Sequence, residues 1–441
     1  MLPIDFIDLL TPQLGEELDA FCTALQQPPT VSVRLNPGKP RPDLPLTTPV
    51  LWHPYGHFLA QRPVFTLDPL LHAGCYYVQE ASSMFLHQVL RQYVSRDAVI
   101  LDLCAAPGGK STLISEYIGD EGLLVSNEVN RQRVFALSEN IQKWGNGNTV
   151  VTHNKPADFG QRLHHLFDCI IIDAPCSGEG MFRKDPQAQQ QWSTKLVDAC
   201  AARQKKIITD AYDALCPGGI LIYSTCTFNH EENEKIALFV KETLKADILP
   251  IKIEKEWGIT ENIGYHFYPH HTNTEGFYIC AFRKKRGEDE FYIPTNKKKN
   301  FKKPTFEDEI QTWLKHPEQW TLTQGDRFTI AYQEIYTDLI QYLTQQLTCI
   351  SIGIGVAEER GKGIAPQHTL ALAKDFNQYA FNEVNLTQEQ ALNYLRQQSF
   401  TLIDKPFGYL LVKYHNTPLG FIKNIGNHAN NLYPKEWRIR M

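Results

Sequence analysis

The chain has 441 residues, 42% hydrophobic and 21% charged, an ordinary balance for a folded soluble protein and enough for roughly three domains. Its formal charge of −5 excludes a global basic field, so any nucleic-acid binding must come from local patches. No apolar run approaches the ~20 residues of a membrane span, the N-terminus lacks the basic region of a secretion signal, and the ten cysteines show neither Cys-x-x-Cys nor zinc-site spacing. A cytoplasmic protein with no disulfide framework, no metal site and no membrane contact is expected.

Residues 1–95 form a first unit. Ser32-Val33-Arg34-Leu35 reads as a short strand, and residues 37–54 as a proline-rich loop, because each proline fixes φ and removes a donor. Residues 74–83 lead into a helix toward Tyr93. From 96 to 284, strand and helix patterns alternate. Strands are predicted at 98–103, 122–127, 149–152, 167–173, 218–224 and 276–282, helices at 110–118, 130–143, 187–214 and 230–245. This rhythm predicts an α/β, doubly wound and mostly parallel sheet. Cys169-Ile170-Ile171-Ile172 fits a strand buried on both faces. The last strand follows an irregular stretch, 250–275, and is a candidate for antiparallel pairing. Residues 285–304 read as a basic linker; across 283–304 nine residues are Lys or Arg and three are acidic, which suits either a solvated hinge or a nucleic-acid contact. Residues 305–365 form a small mixed segment. Residues 366–441 read as a compact β-rich module, with a helix at 388–396 and short strands around 407–413 and 419–423.

The strand at 98–103 runs into Cys104-Ala105-Ala106-Pro107-Gly108-Gly109-Lys110, which opens a helix. Small residues and paired glycines allow a ligand close to backbone, and the helix start offers free N–H groups. The run lacks Gly-x-Gly-x-x-Gly and the first glycine of a P-loop, which disfavours dinucleotides and nucleoside triphosphates. Glu128, closing the next strand, is placed to accept from ribose hydroxyls; the plain alternative is a carboxylate helped by a helix dipole. Ribose recognition without a pyrophosphate loop fits S-adenosylmethionine better than NAD. Asp158 and Asp173 are further candidates near the adenosyl group.

Two thiols stand at strand ends, Cys176 in Asp173-Ala174-Pro175-Cys176-Ser177-Gly178 and Cys226 in Tyr223-Ser224-Thr225-Cys226-Thr227-Phe228. Open α/β sheets gather ligands there. The other cysteines, Cys104 apart, read as small core residues. Methyl transfer to C5 of a pyrimidine needs a thiolate that adds at C6, because C5 of cytosine is too electron-poor to attack a sulfonium unaided. One cysteine can form the adduct and a second can assist its breakdown. Chemistry alone leaves open which is which; Pro-Cys, the nucleophile motif of DNA cytosine-5 methyltransferases, points to Cys176.

In these runs the chain closely resembles the Sun-type RNA (cytosine-5) methyltransferase family, in its RsmF/YebU-like branch. The resemblance extends to Ser32–Pro37, Tyr77–Ser82, Leu419–Asn424 and Asn431–Lys435. It implies a Rossmann-like methyltransferase sheet with an N-terminal RNA-binding-like domain and C-terminal mixed and PUA-like β-rich modules. It further implies Cys226 as nucleophile, Cys176 as the thiol of product release, 104–110 as the S-adenosylmethionine loop and Glu128 on the ribose. Asp173 falls near the methionine end and the target base, and Lys110 near the cytosine. Members often carry an aspartate on the adenine where this chain reads Asn154-Lys155-Pro156, with Asp158 nearby.

The implied partner is RNA, by analogy small-subunit ribosomal RNA or the small ribosomal subunit, and the protein is expected to act as a monomer. A cytosine must be flipped or unpaired to be reached. Arg34, Arg183, Lys184, residues 283–303, Lys423, Lys435, Arg438 and Arg440 are candidate RNA contacts. Two rival readings stand beside this one: a methyltransferase acting on tRNA, large-subunit RNA or DNA, and a catalytically silent RNA-binding assembly factor.

Overall fold

The computed structural model describes residues 2–287, 302–325, 327–361, 363–399 and 405–441. Most of the basic linker, 288–301, therefore lies outside the described residues. A ten-stranded sheet forms the centre. Its strands are β1 (Val99–Asp102), β2 (Leu123–Asn127), β3 (Thr149–Thr152), β4 (Phe167–Asp173), β5 (Leu215–Thr225), β6 (Asp247–Leu249), β7 (Thr260–Asn262), β8 (Gly264–Phe267), β9 (Phe277–Arg283) and β10 (Cys349–Ile352). They lie in the order β7-β8-β9-β5-β4-β1-β2-β3-β10, with β6 beside β9. The five strands from β5 to β3 are parallel. β9 runs antiparallel to β5, the orientation its irregular approach suggests. In β4, Cys169, Ile170, Ile171 and Ile172 are all buried, as their unbroken apolar run requires.

Two expected helices are shorter than their sequence pattern. The span 187–214 is broken into Pro186–Gln191 and Thr194–Ala211. Between them Ser193 is extended (φ −161°, ψ 159°) and its Oγ accepts from Leu196 N–H at 3.2 Å, so a cap replaces a continuous turn. The helix expected from 230 begins at Glu234, because Asn229 Oδ1 takes the Glu232 N–H at 2.9 Å and holds the chain in a turn. A helix at Pro156–Arg162 lies outside the predicted set.

The flanking segments are woven into this centre. Helices Ile4–Leu14 and Leu18–Gln26 carry Phe6, Leu10 and Phe21 against Phe182, Trp192, Phe228 and Tyr268, close over the two cysteine motifs. Glu17, at the junction of these helices, lies between His270 and His271 (3.4 and 3.5 Å). Strands 46–49, 56–59, 32–35 and 76–78 form a second sheet. Within 305–365, β10 adds an edge strand to β3, and Leu339, Ile340 and Leu343 join the central core. The C-terminal sheet (382–385, 408–414, 417–424, 429–431) shares a core with the N-terminal sheet, through Leu410, Val412 and Tyr433 against Val33, Leu70 and Tyr76. Among the described residues, no helix is long and apolar enough to cross a membrane.

Candidate active site

Chain direction puts the C-terminal ends of β1, β2, β4 and β5 along one edge. β1 ends at Asp102, and Gly108, at φ +115°, turns the chain into the helix Gly109–Ile118. A Cβ there would sit 3.3 Å from Asn140 Cβ as well as in a disfavoured conformation. The helix Arg131–Trp144 fixes the loop from behind: Arg133 donates to Ala106 O at 2.6 Å and Asn140 Nδ2 to Pro107 O at 2.8 Å. Asn127, fully enclosed, donates to Leu103 O and Asn154 O, both at 3.1 Å, tying the ends of β1, β2 and β3 together. Glu128 follows it, buried, accepting Asn130 N–H at 2.8 Å with Arg133 at 3.6 Å.

A cavity of ≈180 Å³ opens between this loop and the turn after strand 76–78. Tyr77, Gln79, Asp102, Cys104, Lys110 and Asp173 line it; Glu128 does not. Asp102 is a site residue that the sequence reading misses, since there it only closes a strand. Its carboxyl accepts from Ser111 Oγ at 2.6 Å, while the other oxygen is buried and has no partner among the described residues. Burial pushes this carboxyl up to about 7, and the Cys104 thiol is likewise pushed up. Lys110 Nζ lies 2.8 Å from Asp173 Oδ2 and 5.0 Å above the Phe277 ring, and Ser224 Oγ donates to Asp173 Oδ1 at 2.8 Å.

Beyond Asp173 the two thiols meet, with Cys176 Sγ 3.3 Å from Cys226 Sγ. The Cys176 thiol is raised well above its ordinary value, first by the hydrogen bond with Cys226 and then by burial. The loops that carry the thiols bind each other. Glu232, after Cys226, accepts Ser177 N–H at 3.0 Å, Gln204 Nε2 at 2.8 Å and Asn229 Nδ2 at 3.0 Å. Glu179, after Cys176, accepts Phe228 N–H at 2.7 Å, Asn229 N–H at 3.1 Å, Asn229 Nδ2 at 2.7 Å and Trp192 Nε1 at 3.0 Å. Both carboxylates are wholly buried.

Asp158, Arg34 and Arg183, expected as contacts of cofactor or RNA, each have partners within the protein. Asp158 takes Lys155 N–H at 3.0 Å and pairs with Arg162 at 2.8 Å, capping its own helix. Asn154 exchanges hydrogen bonds with the Thr348 backbone (3.1 and 3.3 Å). Arg34 and Arg183 are not free for RNA. Arg34 is fully buried over Trp144, paired with Glu116 and bonded to Gln79 at 2.8 Å and Thr112 at 2.5 Å. Arg183 pairs with Glu275 at 2.9 Å, both side chains 3% exposed. Breaking a buried pair of this kind costs about 3–5 kcal/mol, more than a single phosphate contact returns. Lys435, Arg438 and Arg440 are exposed.

Comparison with known proteins identifies the family of the chain. A family model described as 16S rRNA methyltransferase RsmB/F matches residues 90–283. The N-terminal domain of 16S rRNA methyltransferase RsmF matches 2–81, and the methyltransferase RsmF PUA domain matches 381–439. Ribosomal RNA small subunit methyltransferase F of Escherichia coli (strain UMN026) is 32% identical, over 95% of this chain and 92% of that protein. The chain belongs to this RsmF methyltransferase family. The Escherichia fergusonii protein of the same name is similar to the same extent. Among solved structures, NSun6 from Pyrococcus horikoshii, determined with the S-adenosylmethionine analogue SFG, aligns with TM-score 0.55 at 21% identity, over 65% of this chain and 99% of that one. A methyltransferase homologue from the same organism aligns with TM-score 0.52 at 25% identity, over 64% and 100%. RsmF-family methyltransferases use S-adenosylmethionine as methyl donor.

Proposed function

We propose that this RsmF-family protein forms 5-methylcytosine in small-subunit ribosomal RNA through a covalent adduct between Cys226 and C6 of the target base. The observation that carries the reading is the pair of thiols 3.3 Å apart, one just beyond the strand that ends at Asp173, the partner of Lys110, and the other beyond the neighbouring strand. Lone thiols in a sheet core have no need of each other; two at adjacent strand ends provide one group to bond the base and another beside the sulfur that must leave.

The residues suited to hold the cofactor are 104–110 and Glu128, with the unpartnered oxygen of Asp102 as an acceptor for its ammonium group. S-adenosylmethionine supplies an electrophilic methyl group at this edge. Lys110 and Asp173 present a donor and an acceptor side by side, which suits the polar edge of a cytosine. Cys226, as thiolate, adds to C6, and the electron pair displaced from the C5–C6 double bond makes C5 nucleophilic. Cys176 keeps its proton and donates to the Cys226 sulfur, which stabilises that thiolate before addition and as it departs. Once C5 carries the methyl group, its proton passes to solvent water, the C5–C6 double bond re-forms and the C6–sulfur bond breaks, returning the Cys226 thiolate. Exposed Lys435, Arg438 and Arg440 and the basic stretch 283–303 suit phosphate contacts. Bisulfite sequencing of ribosomal RNA from cells with and without the gene tests the substrate: one or more small-subunit cytosines should lose protection in the deletion. Unchanged small-subunit cytosines would refute the ribosomal assignment.

A further inference from the structure

The strand ends are joined directly, by Ala174 N–H to Ser224 O and Ser224 Oγ to Asp173 Oδ1, both at 2.8 Å, but no disulfide joins the thiols. β4 and β5 are neighbours, but each thiol lies on the loop beyond its strand, where ladder hydrogen bonds no longer fix spacing. Between the loops, Ser177 Oγ lies 3.0 Å from Thr227 Oγ1 and Gly180 N–H donates to Cys226 O at 2.9 Å, and two buried carboxylates add a reciprocal set. Glu179 leaves the Cys176 loop and takes two backbone N–H groups of the Cys226 loop, at Phe228 and Asn229. Glu232 leaves the Cys226 loop and takes the N–H of Ser177, the residue after Cys176. Asn229 joins the two carboxylates through its Nδ2, and Gln204 bonds both Glu232 and Pro175 O (3.1 Å), the carbonyl just before Cys176.

We propose that Glu179 and Glu232 are positioning residues, a crossed carboxylate clamp that sets the distance between the bond-forming and releasing thiols. The proposal rests on the cytosine-5 reading above for what the spacing achieves. Its chemistry is strict. Glu179 meets four N–H donors and Glu232 three, and nothing that accepts. A glutamine has the same shape but turns two N–H groups toward these donors, so even the isosteric change leaves buried donors unmatched. Neither carboxylate is part of the cavity lined by Lys110 and Asp173, so substrate contact is not their role.

The test separates spacing from folding and from methyl transfer. Phenylarsine oxide, whose trivalent arsenic bridges two thiols held a few ångströms apart, is titrated into the full-length protein, with Cys176→Ser as the control for the bridging pair. The wild type should bind one equivalent tightly. Glu179→Gln and Glu232→Gln should bind it at least about tenfold more weakly while still unfolding in one cooperative transition. On RNA, the same variants should lose about 100-fold in kcat with KM changed little, the scale expected when reacting groups are displaced by about 1 Å. Gln204→Leu, which removes one donor and leaves both carboxylates, should give a smaller loss of the same kind. Folded variants that bind the arsenical and turn over like wild type would overturn the clamp. So would a loss confined to KM. A wild type that bridges arsenic but methylates no cytosine would refute the reaction reading and leave the clamp supported.

Discussion

Cys176 and Cys226 occupy matching positions, each a short step beyond one of two adjacent parallel strands, yet their surroundings differ. The chain around Cys176 is gripped on both sides, at Pro175 O by Gln204 and at Ser177 N–H by Glu232, and its thiol is pushed well above its ordinary value. Around Cys226 the grip falls on its own carbonyl, which accepts Gly180 N–H at 2.9 Å, and on the backbone two and three residues further on. Two cysteines that look alike as strand-end thiols are thus made unlike by what is packed on them. The raised Cys176 thiol, hydrogen-bonded to Cys226, suits a proton donor beside a nucleophile.

The asymmetry is broken most directly by removing the nucleophile. Cys226→Ala should abolish methyl incorporation into RNA, by about 10⁴-fold or more, measured with labelled methyl donor. Retained incorporation would hand the bond-forming role to Cys176. The next largest effect comes from the other thiol. Cys176→Ala leaves Cys226 able to add to the base but removes its neighbouring donor, so a covalent protein–RNA species should accumulate and survive denaturing electrophoresis. Adducts formed by Cys226→Ala instead would reverse the two assignments.

The strand-end placement of both thiols is legible in the amino-acid sequence because an apolar run and its flanking motif are local signals. Six of the central strands, the antiparallel edge and the turn at Gly108 likewise follow from runs of a few residues, whereas Thr260–Asn262 and Gly264–Phe267 lie inside the stretch read as irregular. The clamp is not legible in this way. Glu232 lies in Asn229-His230-Glu231-Glu232-Asn233, which reads as an acidic helix start, and Glu179 in Gly178-Glu179-Gly180, which reads as a flexible loop. Their partners are about fifty residues away in sequence. The same distance problem hides the pairing of Arg34 and Arg183. As isolated cations they suit RNA, but Glu116 and Glu275 stand 82 and 92 residues further along the chain, and only folding shows the charges neutralised. The tie of Asn154 to Thr348 is hidden for a related reason, since Thr348 lies in a segment that composition sets apart from the central sheet.

The smallest effect sharpens the comparison through pH. A thiol whose value is raised is protonated throughout the neutral range, so its thiolate fraction grows tenfold for each pH unit and does not level off. The alkylation rate of Cys176 by iodoacetamide, followed by peptide mass spectrometry, should therefore climb about tenfold per unit from pH 7 to 9 with no plateau. The slope is the diagnostic, because poor access lowers the whole curve without bending it. The cause of the shift gives the direction of a second comparison: the hydrogen bond to Cys226 is its largest source, so in Cys226→Ala the Cys176 curve should move to lower pH. A Cys176 rate that levels off below pH 8 in the wild type would remove the protonated donor from the mechanism.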